Sequence, residues 1–286
     1  MANVGIVYHP QRESARVKAV ELEKWLYQRE HRAIFVGESE SWAEGGLDLV
    51  VSLGGDGTML RAIDKILPAT IPVLGVNFGS LGYLTEIDPD GLFRALERFF
   101  GGDYSIEERM TLSIEVEKDE GASDSQESKM PLRKRYVALN DLVVEKLDSG
   151  HVIRVDVTFG SSHFLTYEAD GLIVSTPTGS TAYSFSARGP VVSPRLKAIV
   201  LTPISPHMLF DRSLIVEPSE IVELRIAEGP SAAVMVDGSR KVVLEPDDRV
   251  RCSAAETAAH LVTFSRRDFH EILKRKFGLH SKRMGD

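Results

Sequence analysis

At 286 residues, and at roughly 150 residues per domain, the chain has the length of about two domains. Its residues are 43% hydrophobic and 27% charged, enough apolar material for real cores without disulfide or metal staples. Lys plus Arg number 34 against 42 Asp plus Glu, and the net charge of −8 disfavours a general nucleic-acid binder. A single cysteine, Cys252, excludes a disulfide framework and any zinc site that needs two or more thiolates.

The opening MANVGIVYHP lacks the basic segment and long apolar run of a secretion signal, and SKRMGD carries no lipidation motif. No stretch approaches about 18 uninterrupted apolar residues. The expectation is a cytoplasmic protein with no membrane partner.

The first hundred residues alternate strand and helix. Val4 to Tyr8 reads as a buried strand, followed by a helix from about Glu13 to Glu30. Ala15, Ala19, Leu22 and Leu26 fall at i, i+4, i+7 and i+11, one stripe on that helix. Ala33 to Val36 is a second strand, and Asp48 to Leu53 a third, continuous and apolar as parallel strands are. A helix from about Thr58 to Leu67, a strand at Ile71 to Val76 and a helix at Gly91 to Phe100 follow. This alternation predicts a parallel sheet with helices on both faces.

Near residue 105 the pattern changes to short β-type segments: Leu112 to Val116, Tyr136 to Lys146, Val152 to Phe159 and Ile221 to Ile226. Val152 to Val157 alternates apolar and polar, as a half-exposed strand does. Residues 117–135, EKDEGASDSQESKMPLRKR, are polar and charged and read as a long hairpin loop. The end switches back, with a strand at His260 to Phe264 and a helix at Arg266 to Phe277. Phe269, Ile272, Leu273 and Phe277 share one face of that helix, and Lys274, Arg275 and Lys276 complement its dipole. The expected domains are 1–104, completed by the C-terminal helix 265–286, and a β-rich 105–264.

Three segments carry chemistry. Gly54-Gly55-Asp56-Gly57-Thr58 lies between an apolar strand and a helix, where ligands bind in open α/β sheets. Glycines there permit a tight turn and a close approach of backbone to ligand. Their N–H groups, with the helix N-terminus, form a receptor for phosphate oxygens. A carboxylate in such a cradle repels phosphate unless it does something else. Asp56 either holds Mg2+ or accepts a proton from an attacking hydroxyl. The plain alternative is a turn with Asp56 as helix N-cap. The pattern is neither GxxxxGK[ST] nor GxGxxG, and neither occurs elsewhere in the chain.

The second segment, Asp170 to Tyr183, is an apolar strand ending in small and hydroxylated residues around Pro177, donors suited to ribose and phosphate oxygens. No GxSxG elbow occurs, so its serines do not read as hydrolase nucleophiles. The third is Leu139-Asn140-Asp141, polar residues inside a strand pattern that are costly if buried without partners. Asn140 offers donors and an acceptor for a base or carboxamide edge, and Asp141 an acceptor for ribose hydroxyls; a β-bulge or turn is the alternative.

GGDGT (54–58), GVNFGSLGYL (75–84), LNDLVVEK (139–146), DGLIVSTPTGSTAYSFSARGPVV (170–192) and LTPISPH (201–207) occur in that order and together resemble the NAD kinases. GGDGT alone is shared with diacylglycerol and sphingosine kinases and resembles a phosphofructokinase loop; TPTGSTAY is far more specific. The resemblance implies a Rossmann-like α/β N-terminal domain of the diacylglycerol-kinase and phosphofructokinase type, with a parallel sheet, plus an all-β C-terminal domain that binds NAD. It implies phosphoryl transfer from ATP or polyphosphate to the 2′-hydroxyl of the adenosine ribose of NAD, giving NADP.

By the same resemblance Asp56 is the proton acceptor, and Gly55, Gly57, Thr58, Arg61 and Asn77 line its pocket. Asn140 and Asp141 bind the dinucleotide, Asp170 opens the third motif, and Thr181, Ala182, Tyr183, Ser184 and Ser186 belong to the stretch that holds NAD. His151 falls near a contact position. Mg2+ arrives with the donor phosphates rather than on fixed protein ligands, and a homodimer or homotetramer places the NAD site near a subunit interface. Asp141 stands where many members have Glu, Glu168 where many have Arg, and Ser239 where many have Gln; the contacts at Glu168 and Ser239 are not carried over. The rival readings are a lipid kinase of the same superfamily, which would not need TPTGSTAY, and a non-catalytic NAD(H)-binding regulator. The eight histidines show no HExxH-type spacing, which argues against metal ligation.

Overall fold

The computed structural model describes residues 1–35, 42, 46–79, 82–118, 132–227, 229–265 and 268–279. Val36, Ser80, Leu81, most of the charged 117–135 segment and residues 280–286 lie outside the described residues. The chain forms two compact units, one of residues 1–109 and 259–286 and the other of residues 110–258.

The first unit begins β1 (Asn3–Tyr8), α1 (Glu13–Tyr27), β2 (Arg32–Phe35), β3 (Leu49–Gly54), α2 (Asp56–Ile66), β4 (Val73–Asn77), α3 (Leu92–Phe100) and β5 (Ser105–Arg109). The second unit holds β6 (Leu112–Lys118), β7 (Leu132–Ala138), β8 (Asp141–Lys146), β9 (Ile153–Phe159), β10 (Ser162–Ala169) and β11 (Gly171–Ser175). After the short α4 (Tyr183–Ser186) come β12 (Ile199–Ile204), β13 (Leu214–Val216), β14 (Val222–Ile226), β15 (Ala232–Val236), β16 (Ser239–Leu244) and β17 (Arg249–Ala254). The chain then returns to the first unit with β18 (Ala259–Thr263) and α5 (Phe269–Phe277).

The first unit's sheet runs β2-β1-β3-β4-β18-β5, parallel except for the antiparallel edge strand β5. Every residue of β3 is buried, which is why that strand reads as one apolar run. Ala15, Ala19, Leu22 and Leu26 of α1 are buried with Leu92, Leu96 and Phe99 of α3 against one sheet face. On the other face, Met59 of α2 meets Gly75 of β4, where a Cβ would crowd its sulfur. α1 ends at Tyr27, three residues before the expected Glu30, which sits at a left-handed φ of 60°. The final helix starts at Phe269, where Asp268 accepts hydrogen bonds from the His270 and Glu271 amides and caps it.

The second unit is all-β: six-stranded sheets of order β10-β9-β14-β17-β6-β7 and β13-β12-β11-β8-β15-β16 share one apolar core. The expected single strand Tyr136 to Lys146 is two strands in different sheets. β7 pairs with β6 in one and β8 with β11 and β15 in the other, and the break falls at Leu139-Asn140.

Candidate active site

In the first unit the carboxyl ends of β3 and β4 lie side by side, with Gly54 opposite Asn77. α2 begins at Asp56, two residues before the expected Thr58, and Gly55 occupies the N-cap position without a side chain to cap. Asp56 is therefore not the N-cap. The glycines do not serve a left-handed turn either: Gly55 has φ −115°, and Gly54 and Gly57 are not in the left-handed region. Smallness is what matters. Thr58 fills the space a Cβ on Gly54 would need, while nothing lies within 4 Å of a Cβ on Gly55 or Gly57.

The Asp56 carboxylate is held from the β4–α3 connection. Its Oδ2 accepts the Tyr83 N–H at 2.8 Å and its Oδ1 the Leu84 N–H at 2.9 Å. A Cβ on Gly82 would overlap Oδ1, so only glycine lets the chain approach this closely. Lys276 of α5 places Nζ 3.6 Å from Oδ2 and 3.9 Å from the centre of the Tyr83 ring. Burial and the charge of Asp56 push the Tyr83 phenol up. Asn77 closes the neighbouring turn, its Oδ1 accepting the Gly79 N–H at 3.1 Å. Thr58 is buried, and exposed Arg61 approaches its hydroxyl at 3.5 Å.

No group of three His, Cys, Asp or Glu able to hold a metal occurs among the described residues. Each oxygen of the Asp56 carboxylate accepts one backbone amide.

In the second unit, Leu139 and Asn140 form the turn between the two sheets. Asp237 organises it, accepting from three consecutive amides: Leu139 at 2.8 Å, Asn140 at 2.7 Å and Asp141 at 3.1 Å. Asp237 and Gly238 are the two-residue loop joining β15 to β16, with φ of 47° and 75°. An Asp-Gly dipeptide between β-type runs is the sequence signal of such a hairpin. Ser239 opens β16 and is exposed.

The hydroxyl-rich segment packs against the same turn. Thr176 donates to the Leu139 carbonyl at 2.6 Å, and its amide to the Asn140 carbonyl at 2.9 Å. A Cβ on Gly179 would overlap that Asn140 carbonyl. Many of the hydroxyls hold the segment itself: Ser180 bonds Pro177 and Val192, Thr181 reaches the Thr178 carbonyl, and buried Ser184 meets Thr202 at 3.1 Å. The Ala182 amide donates to the Gly179 carbonyl. Tyr183 is 38% exposed, with its hydroxyl 3.3 Å from Glu145. With Ser186 it lines a cavity of about 550 Å³ that also carries Arg188 and Arg212.

Asp141 is buried, and burial, reinforced by the charge of Asp237, pushes its carboxyl up to about 7. Asp170 sits at the other end of the β8–β11 pair, where Gly171 faces Glu145, and bonds Lys146 at 2.5 Å. Five strand steps separate it from Asp141, roughly 17 Å. Tyr183 stands between: burial, then Glu145, Asp170 and Asp141, push its phenol up. Glu168 pairs with Arg154 at 2.7 Å. His151 lies apart in the exposed loop between β8 and β9.

Residues 34–104 match the family model of the ATP-NAD kinase N-terminal domain and residues 139–264 that of the ATP-NAD kinase C-terminal domain. The NAD kinase of Heliobacterium modesticaldum is 42% identical over 96% of this chain and 98% of its own length. That of Moorella thermoacetica is 38% identical over 100% and 92%. Among solved structures, yeast NADH kinase complexed with NADH superposes with a TM-score of 0.86 at 25% identity, over 100% of this chain and 90% of the other. An Archaeoglobus fulgidus NAD kinase in complex with ATP gives 0.74 at 26%, over 96% and 98%. Both halves of the sequence match, and the relatives are matched over nearly their full lengths: the chain belongs to the NAD kinase family.

Proposed function

We propose that this chain is an NAD kinase that transfers the γ-phosphoryl group of ATP to the 2′-hydroxyl of the adenosine ribose of NAD, with Asp56 as the group that meets that hydroxyl. The observation that carries the assignment of Asp56 is its carboxylate, fixed by the Tyr83 and Leu84 amides beside the open space at Gly55 and Gly57. Both of its oxygens retain lone pairs beyond those amide bonds. Asp56 orients the hydroxyl; the 2′-hydroxyl oxygen bonds to the γ-phosphorus as the bond to the β–γ bridging oxygen breaks, ADP departs, and the hydroxyl proton passes to Asp56. A carboxylate is a weak base at neutral pH, so the proton moves late and positioning carries most of the catalysis.

Asn140 and Asp141 hold the dinucleotide, and the acidic track from Asp141 past Tyr183 to Asp170 suits a long ligand rich in hydroxyls. Thr181, Ala182 and Ser186 belong to the same surface, Ser184 supports it from behind, and Arg61 and Asn77 flank the donor side. His151 stays a contact position by family resemblance alone. The reading includes magnesium carried by the donor's phosphates, polyphosphate as the other candidate donor, and a dimer or tetramer with NAD near a subunit interface. It also includes a cytoplasmic location, in keeping with one buried cysteine and no helix among the described residues long and apolar enough to cross a membrane.

The test is incubation with NAD, ATP and magnesium, read by an NADP-specific assay, for the natural chain and Asp56→Asn. The variant should lose at least about a hundredfold in kcat while NAD binding holds. Turnover at the natural rate in the variant refutes the role of Asp56, and absence of NADP from the natural chain refutes the activity.

A further inference from the structure

Asp56 poses an electrostatic problem that the reaction itself does not solve. The phosphoryl donor brings several negative charges to a cradle already holding a carboxylate, and like charges a few ångströms apart repel strongly at a half-buried site. The two amides that fix Asp56 are neutral and leave its charge in place. Among the described residues, the cation within reach is Lys276, whose Nζ lies 3.6 Å from Oδ2. It comes from α5, more than two hundred residues later in the chain, and is seated rather than trailing. Its ammonium lies over the Tyr83 ring at 3.9 Å, and Tyr83 in turn meets Phe269 at the start of the same helix, with ring centres 6.4 Å apart. Its helix neighbour Lys274 is paired with Glu271 at 2.7 Å, so the two lysines serve different ends.

We propose that Lys276 is a positioning residue of the phosphoryl-transfer site: it neutralises Asp56 so that the anionic donor can dock beside that carboxylate. Lys276 acts through Asp56 and favours donor binding, not dinucleotide binding. The proposal rests on the reading of the GGDGT cradle as the donor site.

The experiment measures ATP affinity by calorimetry with magnesium and without NAD, so that no turnover is needed. The proteins are the full natural chain, Lys276→Met, Lys276→Arg, Asp56→Asn and the double variant Asp56→Asn/Lys276→Met. Methionine keeps the stem over Tyr83 and removes the charge. Lys276→Met should weaken ATP about tenfold, the size expected for one uncompensated charge at a half-exposed site. The Michaelis constant for NAD should stay within about twofold, a split that a general loss of structure would not give. Lys276→Arg should recover donor affinity. In the Asp56→Asn background the methionine change should cost little, because the charge that needed neutralising is gone. Natural ATP affinity in Lys276→Met overturns the proposal. So does an equal loss in both backgrounds, which would place Lys276 directly on the donor, and so does failure of Lys276→Arg to recover affinity. The catalytic role of Asp56 is judged separately by NADP formation, so the two ideas fail independently.

Discussion

The two units use the same device in opposite ways. In the first, the carboxylate of Asp56 is fixed by two consecutive amides, Tyr83 and Leu84, and stays 29% exposed. In the second, the carboxylate of Asp237 is fixed by three, Leu139, Asn140 and Asp141, and what it presents is the turn it holds. One arrangement immobilises the carboxylate proposed to meet the hydroxyl; the other immobilises the turn proposed to hold the dinucleotide. A carboxylate on peptide amides is a strong, directional restraint, because each bond is charge-assisted. The same hydrogen bonds can fix a side chain from the backbone, as at Asp56, or fix the backbone from a side chain, as at Asp237.

The comparison is broken most severely by Asp237→Ala. Three amides lose their acceptor, which should destabilise the protein by about 2 to 4 kcal/mol in chemical denaturation. Where the variant folds, the Michaelis constant for NAD should rise at least about tenfold with kcat much less affected. On the other side, Gly82→Ala drives a methyl into Asp56 Oδ1 and displaces the carboxylate. It should lower kcat by about ten- to a hundredfold and leave NAD affinity within about twofold, since misplacement of a reacting group costs rate. Equal effects of both substitutions on both constants would dissolve the distinction.

A pH dependence should show most gradually, because it builds up across the titration of one carboxyl. The folded carboxyl of Asp141 is raised to about 7 against an ordinary value near 3.9, so the folded state binds more protons than the unfolded state between those values. Stability from this group is present at acid pH and is lost as pH rises through about 7. Asp141→Asn should therefore gain stability over the natural chain as pH goes from 4 to 7 and level off above, by about 1 to 4 kcal/mol. A constant difference across that range in thermal or urea melts would remove Asp141 as the source.

Much of the fold is legible because its signals are local. The Ala15–Leu26 stripe, the unbroken apolar β3 and the alternation of Ile153 to Val157 each state their burial within a few residues. What escapes is set from a distance. Tyr136 to Lys146 reads as one strand with a bulge or turn at Leu139-Asn140-Asp141 as the alternative; the turn is what forms, held by a carboxylate nearly a hundred residues later. Asp56 stands out by composition, whereas its clamp is invisible, since backbone amides have no letter in the sequence. Lys276 reads as a dipole complement among three basic residues, and only tertiary packing distinguishes it from its neighbours. The hydroxyl-rich segment marks a special place, but Thr176, Ser180 and Ser184 turn inward to build it.

β18 sits between β4 and β5 in the first unit's sheet, although the whole second unit separates it from them in the chain. A ribosome therefore releases the first unit in an unfinished state, with the edges that will flank β18 still open while some 150 residues of β-structure emerge. The second unit, contiguous in sequence, can complete itself meanwhile. Only when residue 263 has left the exit tunnel can that gap close, and α5 follows it. Lys276, carried on α5, reaches Asp56 only after that.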